Sequence, residues 1–223
     1  MNLLTEPYLA QKSRWPADGQ HILAHFDENS VVVYQAYSPK IGDFAAQHGY
    51  FGGDFSLGRM SWMKPNFLWM MYRSGWGTKE NQEVTLAVRL KRSFFEAVLE
   101  QGVASTFGAS SSSDTEEWKR AVAASDVRLQ WDPDHAPSGG PVVRRAIQLG
   151  LRGEILREYA REAILEIEDI SPFVTEQRPN AQGQNYEHLI TPREQIYVPS
   201  QPEVAHRLNL SATNGTSFPA AKV

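Results

Sequence analysis

No cysteine occurs among the 223 residues, which excludes disulfide staples, thiolate zinc or iron–sulfur sites and thiol nucleophiles. Long apolar runs are missing too. No window approaches the roughly 18–20 residues that a membrane helix needs. The start, MNLLTEPYLAQKSRWP, carries Glu6 and Pro7 where a signal peptide needs a basic end followed by apolar residues. A cytoplasmic protein, with no membrane partner, is therefore expected. Positive charge is not in excess either: 22 Lys and Arg stand against 26 Asp and Glu, for a net charge of -4. That balance argues against coating nucleic acid by bulk charge, but leaves room for a local basic cleft. The glycines at 49, 52, 53 and 58 are spaced too irregularly for a P-loop or a dinucleotide fingerprint, and no G-x-S-x-G elbow is present.

What remains is a globular composition, 41% hydrophobic and 22% charged. HILAHFD, a turn around Asp27 to Ser30, and VVVYQAYS read as a β-hairpin. KIGDFAAQHG has helical periodicity with Gly49 as its stop, EVTLAVRLK alternates as a strand, and RSFFEAVLEQG reads as a helix. FGASSSSD is a low-complexity loop, and Asp114 or Thr115 begins a capped helix, TEEWKRAVAAS. In the second half DVRLQW is expected as a strand, RRAIQLGL and RGEILREYARE as helices, AILEIEDIS as a strand and REQIYVP as a further one. Mixed elements without regular βαβ spacing predict a single α+β domain, a mixed sheet flanked by helices. Its expected bounds are residues 14–207, between an N-terminal extension (1–13) and a disordered tail (208–223).

The most unusual string is RMSWMKPNFLWMMYRSGW, Arg59 to Trp76, which holds three of the six tryptophans and four of the five methionines. Pro65 suits a helix start and Gly75 its end, so PNFLWMMYRS predicts a short helix, apolar all round and hence buried. Core filling explains the methionines. It explains Arg59, Lys64, Arg73 and Lys79 less well, because no Asp or Glu lies between Asp54 and Glu80. Cations beside a buried helix either reach solvent or take an anion from elsewhere. A phosphate would serve, and Trp62 and Trp76 offer faces for a nucleobase or nicotinamide ring.

Three other constellations carry chemistry. QWDPDH sets Gln130, Asp132, Asp134 and His135 at an expected strand-to-loop junction, where two carboxylates bind magnesium or stabilise positive charge, or simply make a turn. Glu166 and Glu168 share one face of a strand by period-two alternation. His21 and His25 share another strand face, without a third candidate ligand nearby, so no metal site is expected.

RWP at 14–16, VVYQAY at 32–37, the segment 59–79, VRLQWDPDH at 127–135, RAIQLGL at 145–151 and IEDIS at 167–171 resemble the family catalogued as domain of unknown function 4291. The resemblance extends over about Arg14 to Val174 and implies no activity by itself. The order of strand, helix, Gly-rich loop, aromatic segment and strand is also similar to the NAD-gripping half of the ADP-ribosyltransferase superfamily, a split-sheet fold. That second likeness implies NAD as co-substrate, with Gln35 or Tyr37 holding the nicotinamide ribose and Trp62 or Tyr72 sandwiching the nicotinamide. Arg59, Lys64 and Arg73 would border the phosphates, and Asp132 (in Gln130-Trp131-Asp132) or Glu168 would be the catalytic carboxylate. ADP-ribose would pass to a nucleic acid base, a nucleotide or a protein. Two alternatives stay open: a non-catalytic module for single-stranded nucleic acid or nucleotides, and magnesium-dependent phosphoryl transfer through Asp132 and Asp134.

Overall fold

The computed structural model describes residues 3–110, 112–183 and 185–212. The predicted hairpin forms from β2 (Ile22–Phe26) and β3 (Ser30–Tyr37), after β1 (Thr5–Pro7) and α1 (Tyr8–Lys12). Asp27 closes the turn, its carboxylate accepting from the amides of Asn29 and Ser30 at 2.8 Å each. Along one edge β3 pairs over its whole length with β5 (Val84–Lys91), and β5 in turn pairs with β9 (Ile164–Asp169). On the other edge β2 pairs with only Val31 and Val32. At Tyr34 the partner changes to Lys64, just beyond β4 (Ser61–Met63), through a two-way backbone pair of 2.7 and 3.3 Å.

The sheet therefore forks at β3. One branch completes a five-stranded sheet ordered β11-β2-β3-β5-β9, with β11 at Gln195–Tyr197; the other is a four-stranded sheet ordered β4-β8-β7-β6. In the second sheet β7 (Val127–His135) and β8 (Pro141–Leu151) form a long antiparallel pair, and β6 (Val103–Ala104) adds a short parallel edge. The main apolar core lies beneath the forked sheets, against α2 (Pro39–His48), α4 (Arg92–Gln101) and α6 (Gly153–Ala160). A second cluster packs Val32, Tyr34 and Ala87 under α3 (Phe67–Ser74) and α7 (Ser171–Ala181). On the helix α5 (Thr115–Ala124) Asp114 is the N-cap, as its sequence pattern predicts. The architecture is α+β, with mixed sheets flanked by helices.

Several expectations need correction. RRAIQLGL is strand β8, not a helix: paired on both edges and buried on both faces, it carries no period-two alternation, so its leucines and isoleucine mimic a helical stripe. The Asp-Pro-Asp run is part of β7, which continues to His135 instead of ending at Trp131. The extension is integral, since β1 pairs with β10 (Ile190–Pro192) and Gln11 is fully buried, bonding Thr191 and the Pro192 carbonyl. Of the supposed tail, Leu208 follows α8 (Pro202–Arg207) into the core and Ser211 pairs with Gln20, while 213–223 fall outside the described residues.

One glycine fixes the fit of β4 on β8. A Cβ at Gly150 would stand 2.7 Å from the Met60 sulfur and 3.0 Å from the Trp62 ring, too close for either. Gly150→Ala is expected to cost about 1–3 kcal/mol by overpacking, read as a lower denaturation midpoint in urea. An unchanged midpoint would show that β4 is not held by this contact.

Candidate functional site

α3 begins at Asn66, whose side chain accepts the Trp69 amide at 2.7 Å, and ends at Gly75 in the left-handed region, φ 59°. Pro65 thus lies before the cap rather than inside the first turn. Beside that cap sits Glu194, buried and absent from the sequence argument. Its carboxylate accepts from the Phe67 amide at 2.6 Å, and burial holds its pKa well above the ordinary value. This acid fills the helix N-terminus and ties the strand β10–β11 turn to α3.

Between α3, the end of β3, β4 and the β7–β8 pair opens a cleft of about 530 Å³, a volume suited to a small ligand of nucleotide size. Gln35 and Tyr37 reach its wall from β3, but their polar groups are committed. The Gln35 amide donates to Ser61 Oγ (2.9 Å) and the Trp62 carbonyl (3.1 Å), and its oxygen accepts from Tyr159 at 2.5 Å. Tyr37 meets the same Ser61 hydroxyl at 2.8 Å, and burial raises its phenol pKa. Both residues clasp β4 in place; neither offers a free group to hold a ribose.

Lys64 is the exception in this cleft. Only 4% exposed, it has no hydrogen-bond or ion-pair partner for its amine among the described residues, and its Nζ lies 4.7 Å from the centre of the Trp69 ring. Desolvation, with repulsion from Arg73 and partial opposition from Asp132, lowers its pKa from 10.5 to about 7. Trp69 lines the same cleft, and its buried indole N–H has no acceptor either. Arg73, exposed at the mouth, likewise lacks a carboxylate partner among the described residues. Two cations without acid partners among the described residues, buried Lys64 and exposed Arg73, thus meet at one hollow beside a buried indole N–H that also lacks an acceptor, and buried polar groups such as Lys64 and Trp69 are seldom left so.

Facing them, Gln130 and Gln148 stand directly opposite each other on β7 and β8, and both amides donate to Asp132, at 2.8 and 2.7 Å. The carboxylate does not itself line the cleft but is held by two residues that do, close enough for its charge to act on Lys64. Asp134 is committed elsewhere: it is 1% exposed and accepts from Arg144 at 2.8 and 2.5 Å and from the His135 amide at 2.7 Å. The two aspartates do not form a shared metal site, and no group of three or more His, Cys, Asp or Glu side chains gathers with ligand geometry among the described residues. Nor is any helix among them long and apolar enough to cross a membrane.

The remaining sequence candidates separate. Trp62, Lys64, Arg73 and Gln130 line the cleft with Gln35 and Tyr37. Arg59 is exposed and only borders it, its charge reaching the Tyr37 hydroxyl. Tyr72 lies outside, stacked on His135 at 3.5 Å, and the Trp76 indole is buried against the Pro137 carbonyl. Lys79 caps α3, donating to the Arg73 carbonyl at 2.7 Å. Glu168 sits two strands from β3, in register with Ala87 and Tyr34, about 10 Å across the sheet. Trp69 and Gln148 join the site unforeseen. Trp69 was one of several apolar residues in a buried helix, and Gln148 was hidden by reading β8 as helical.

The buried amine carries a stability cost. Lys64→Met is expected to stabilise the empty protein by about 1–4 kcal/mol below pH 7. The lysine's penalty is full below its folded pKa of about 7 and fades as pH rises toward 10.5, where the unfolded chain also loses the proton. Chemical denaturation at pH 6 and pH 10 reads this directly; a destabilised variant at pH 6 would mean that the ammonium is satisfied by the protein itself.

A family model described as a domain of unknown function (DUF4291) matches residues 21–197. No curated protein matches the chain. The matched span includes every strand of both branches of the forked sheet and every residue of the Lys64 cleft, and the chain belongs to the DUF4291 family.

Proposed function

We propose that the Lys64 cleft binds NAD and transfers its ADP-ribose to a nucleophile. The observation that carries this reading is the meeting of two cations without acid partners among the described residues, Lys64 and Arg73, in one tryptophan-lined cleft beside a carboxylate held by two amides. Lys64 at the floor and Arg73 at the mouth take the pyrophosphate oxygens through charge-assisted hydrogen bonds. The Trp62 ring offers a face to the nicotinamide or the adenine. Asp132 is the carboxylate for the ribose, because the lining residues Gln130 and Gln148 hold it and its charge acts on Lys64, whereas Glu168 lies two strands from β3.

In the reaction the glycosidic C–N bond breaks and its electron pair departs with nicotinamide. The ribose C1′ becomes oxocarbenium-like, and the Asp132 carboxylate stabilises it electrostatically. The acceptor's lone pair then bonds to C1′ and its proton leaves to solvent. The acceptor class, a nucleic acid base, a nucleotide or a protein side chain, follows from whichever group reaches the open mouth.

NAD at a hundred times its Kd should stabilise the protein by about 2.7 kcal/mol, visible as a raised melting temperature. Arg73→Ala should weaken binding roughly tenfold or more through a lost hydrogen bond to a charged group. Asp132→Asn should keep binding but stop nicotinamide release. Because phosphate binding favours the protonated amine, affinity should fall by up to about tenfold per pH unit above pH 7. Absence of both NAD-dependent stabilisation and nicotinamide release across candidate acceptors would overturn the proposal, and a salt-steep affinity for oligonucleotides without product would put a nucleic-acid-binding module in its place.

A further inference from the structure

The lysine that would hold a phosphate is also placed to do covalent chemistry. We infer that the Lys64 amine captures the open-chain aldehyde of a phosphorylated sugar as an imine inside the cleft. The inference does not require the ADP-ribosyl reading, although it uses the same hollow.

Three features support it. The first is access without competition: Lys64 lines an open cleft of about 530 Å³, and its amine carries no hydrogen bond or ion pair among the described residues. The amine lies 4.7 Å from the centre of the Trp69 ring, whose π face cannot take its proton. The second is the charge around it. From α3 it faces Arg73, which repels an ammonium, and from β7 it faces Asp132, whose carboxylate is shared between the Gln130 and Gln148 amides. A desolvated lysine beside a second cation is the arrangement that yields a neutral, nucleophilic amine near pH 7. The third is a place for the substrate's anion, since the Arg73 guanidinium at the mouth has no carboxylate partner there.

The step balances without an oxidant. The nitrogen lone pair bonds to the carbonyl carbon while the C=O π pair moves to oxygen. That oxygen gains a proton and the nitrogen loses one, giving a carbinolamine. The hydroxyl then takes a proton and leaves as water as the nitrogen lone pair forms C=N, and the resulting iminium gives its N–H proton back, so one water is released per imine. Asp132 is the nearby carboxylate able to relay those protons.

The probe is ribose 5-phosphate with cyanoborohydride, which reduces an imine to a stable secondary amine, followed by peptide mass spectrometry. The expected result is one adduct, on Lys64, with a rate half-maximal near pH 7 instead of near pH 10. It should be at least tenfold slower with unphosphorylated ribose or in Arg73→Ala, and absent in Lys64→Arg. Adducts spread over exposed lysines such as Lys12 and Lys119 at rates matching Lys64, or a rate that climbs steadily to pH 10, would overturn the inference. Should Lys64→Arg not fold, peptide mapping and the pH profile of the unmodified chain decide the question. NAD added in excess separates the two proposals. Labelling of Lys64 that NAD does not slow upholds the imine and sinks the nucleotide reading; NAD stabilisation with Lys64 left unlabelled does the reverse.

Discussion

The backbone pair between Tyr34 and Lys64 is the contact on which the rest of the molecule depends. Both amide groups of Lys64 are engaged with Tyr34, so the residue is locked into a sheet at the point where β3 exchanges one neighbour for another. A lysine on a loose segment would lay its stem along the surface and keep its head in water. Here the ladder sets the direction of the side chain, and α3 covers it, so the amine stays buried at 4% exposure. Its lowered pKa follows from that backbone constraint together with the nearby Arg73.

Around this point the protein distributes its polar groups in two ways. Some are spent on geometry: Gln35, Tyr37, Ser61 and Tyr159 form a closed hydrogen-bonded set that fastens β4 to β3. Glu194 and Asn66 satisfy the first turn of α3, and Lys79 satisfies its last carbonyls. Others are left open: Lys64, the Trp69 indole and Arg73 have no acceptor among the described residues. Closed networks rigidify a scaffold, while open donors reduce its stability and are kept where a ligand completes them. The contrast within one small region separates binding groups from supporting ones more sharply than residue type does.

The buried Asp134–Arg144 pair illustrates the same division further along β7. Two residues from Asp132, Asp134 is drawn into the protein, where Arg144 also donates to the Pro16 carbonyl at 2.6 Å and lies 5.4 Å from the Trp15 ring centre. That pair joins the N-terminal segment to the second sheet. The QWDPDH motif therefore contains one carboxylate for the site and one for the scaffold, and a bulge near Pro133 and His135 separates their surroundings.

Local pattern was enough to reveal the hairpin at Asp27, the helices with clear periodicity and stops, the α+β class, and the concentration of unpaired cations around α3. Each rests on neighbours in the chain: turn residues, alternation, capping and the lack of a nearby acid. Which cations share a cleft was decided by tertiary structure alone, because Arg59, Lys64, Arg73 and Lys79 are equivalent by charge and differ only in what packs around them. The same holds for Gln148, whose place opposite Gln130 exists only through the pairing of β8 with β7. The sequence by itself established that this region gathers positive charge beside aromatic surface. The forked sheet decided that one lysine is buried, because a side chain's solvent exposure is set by strands and helices distant in sequence.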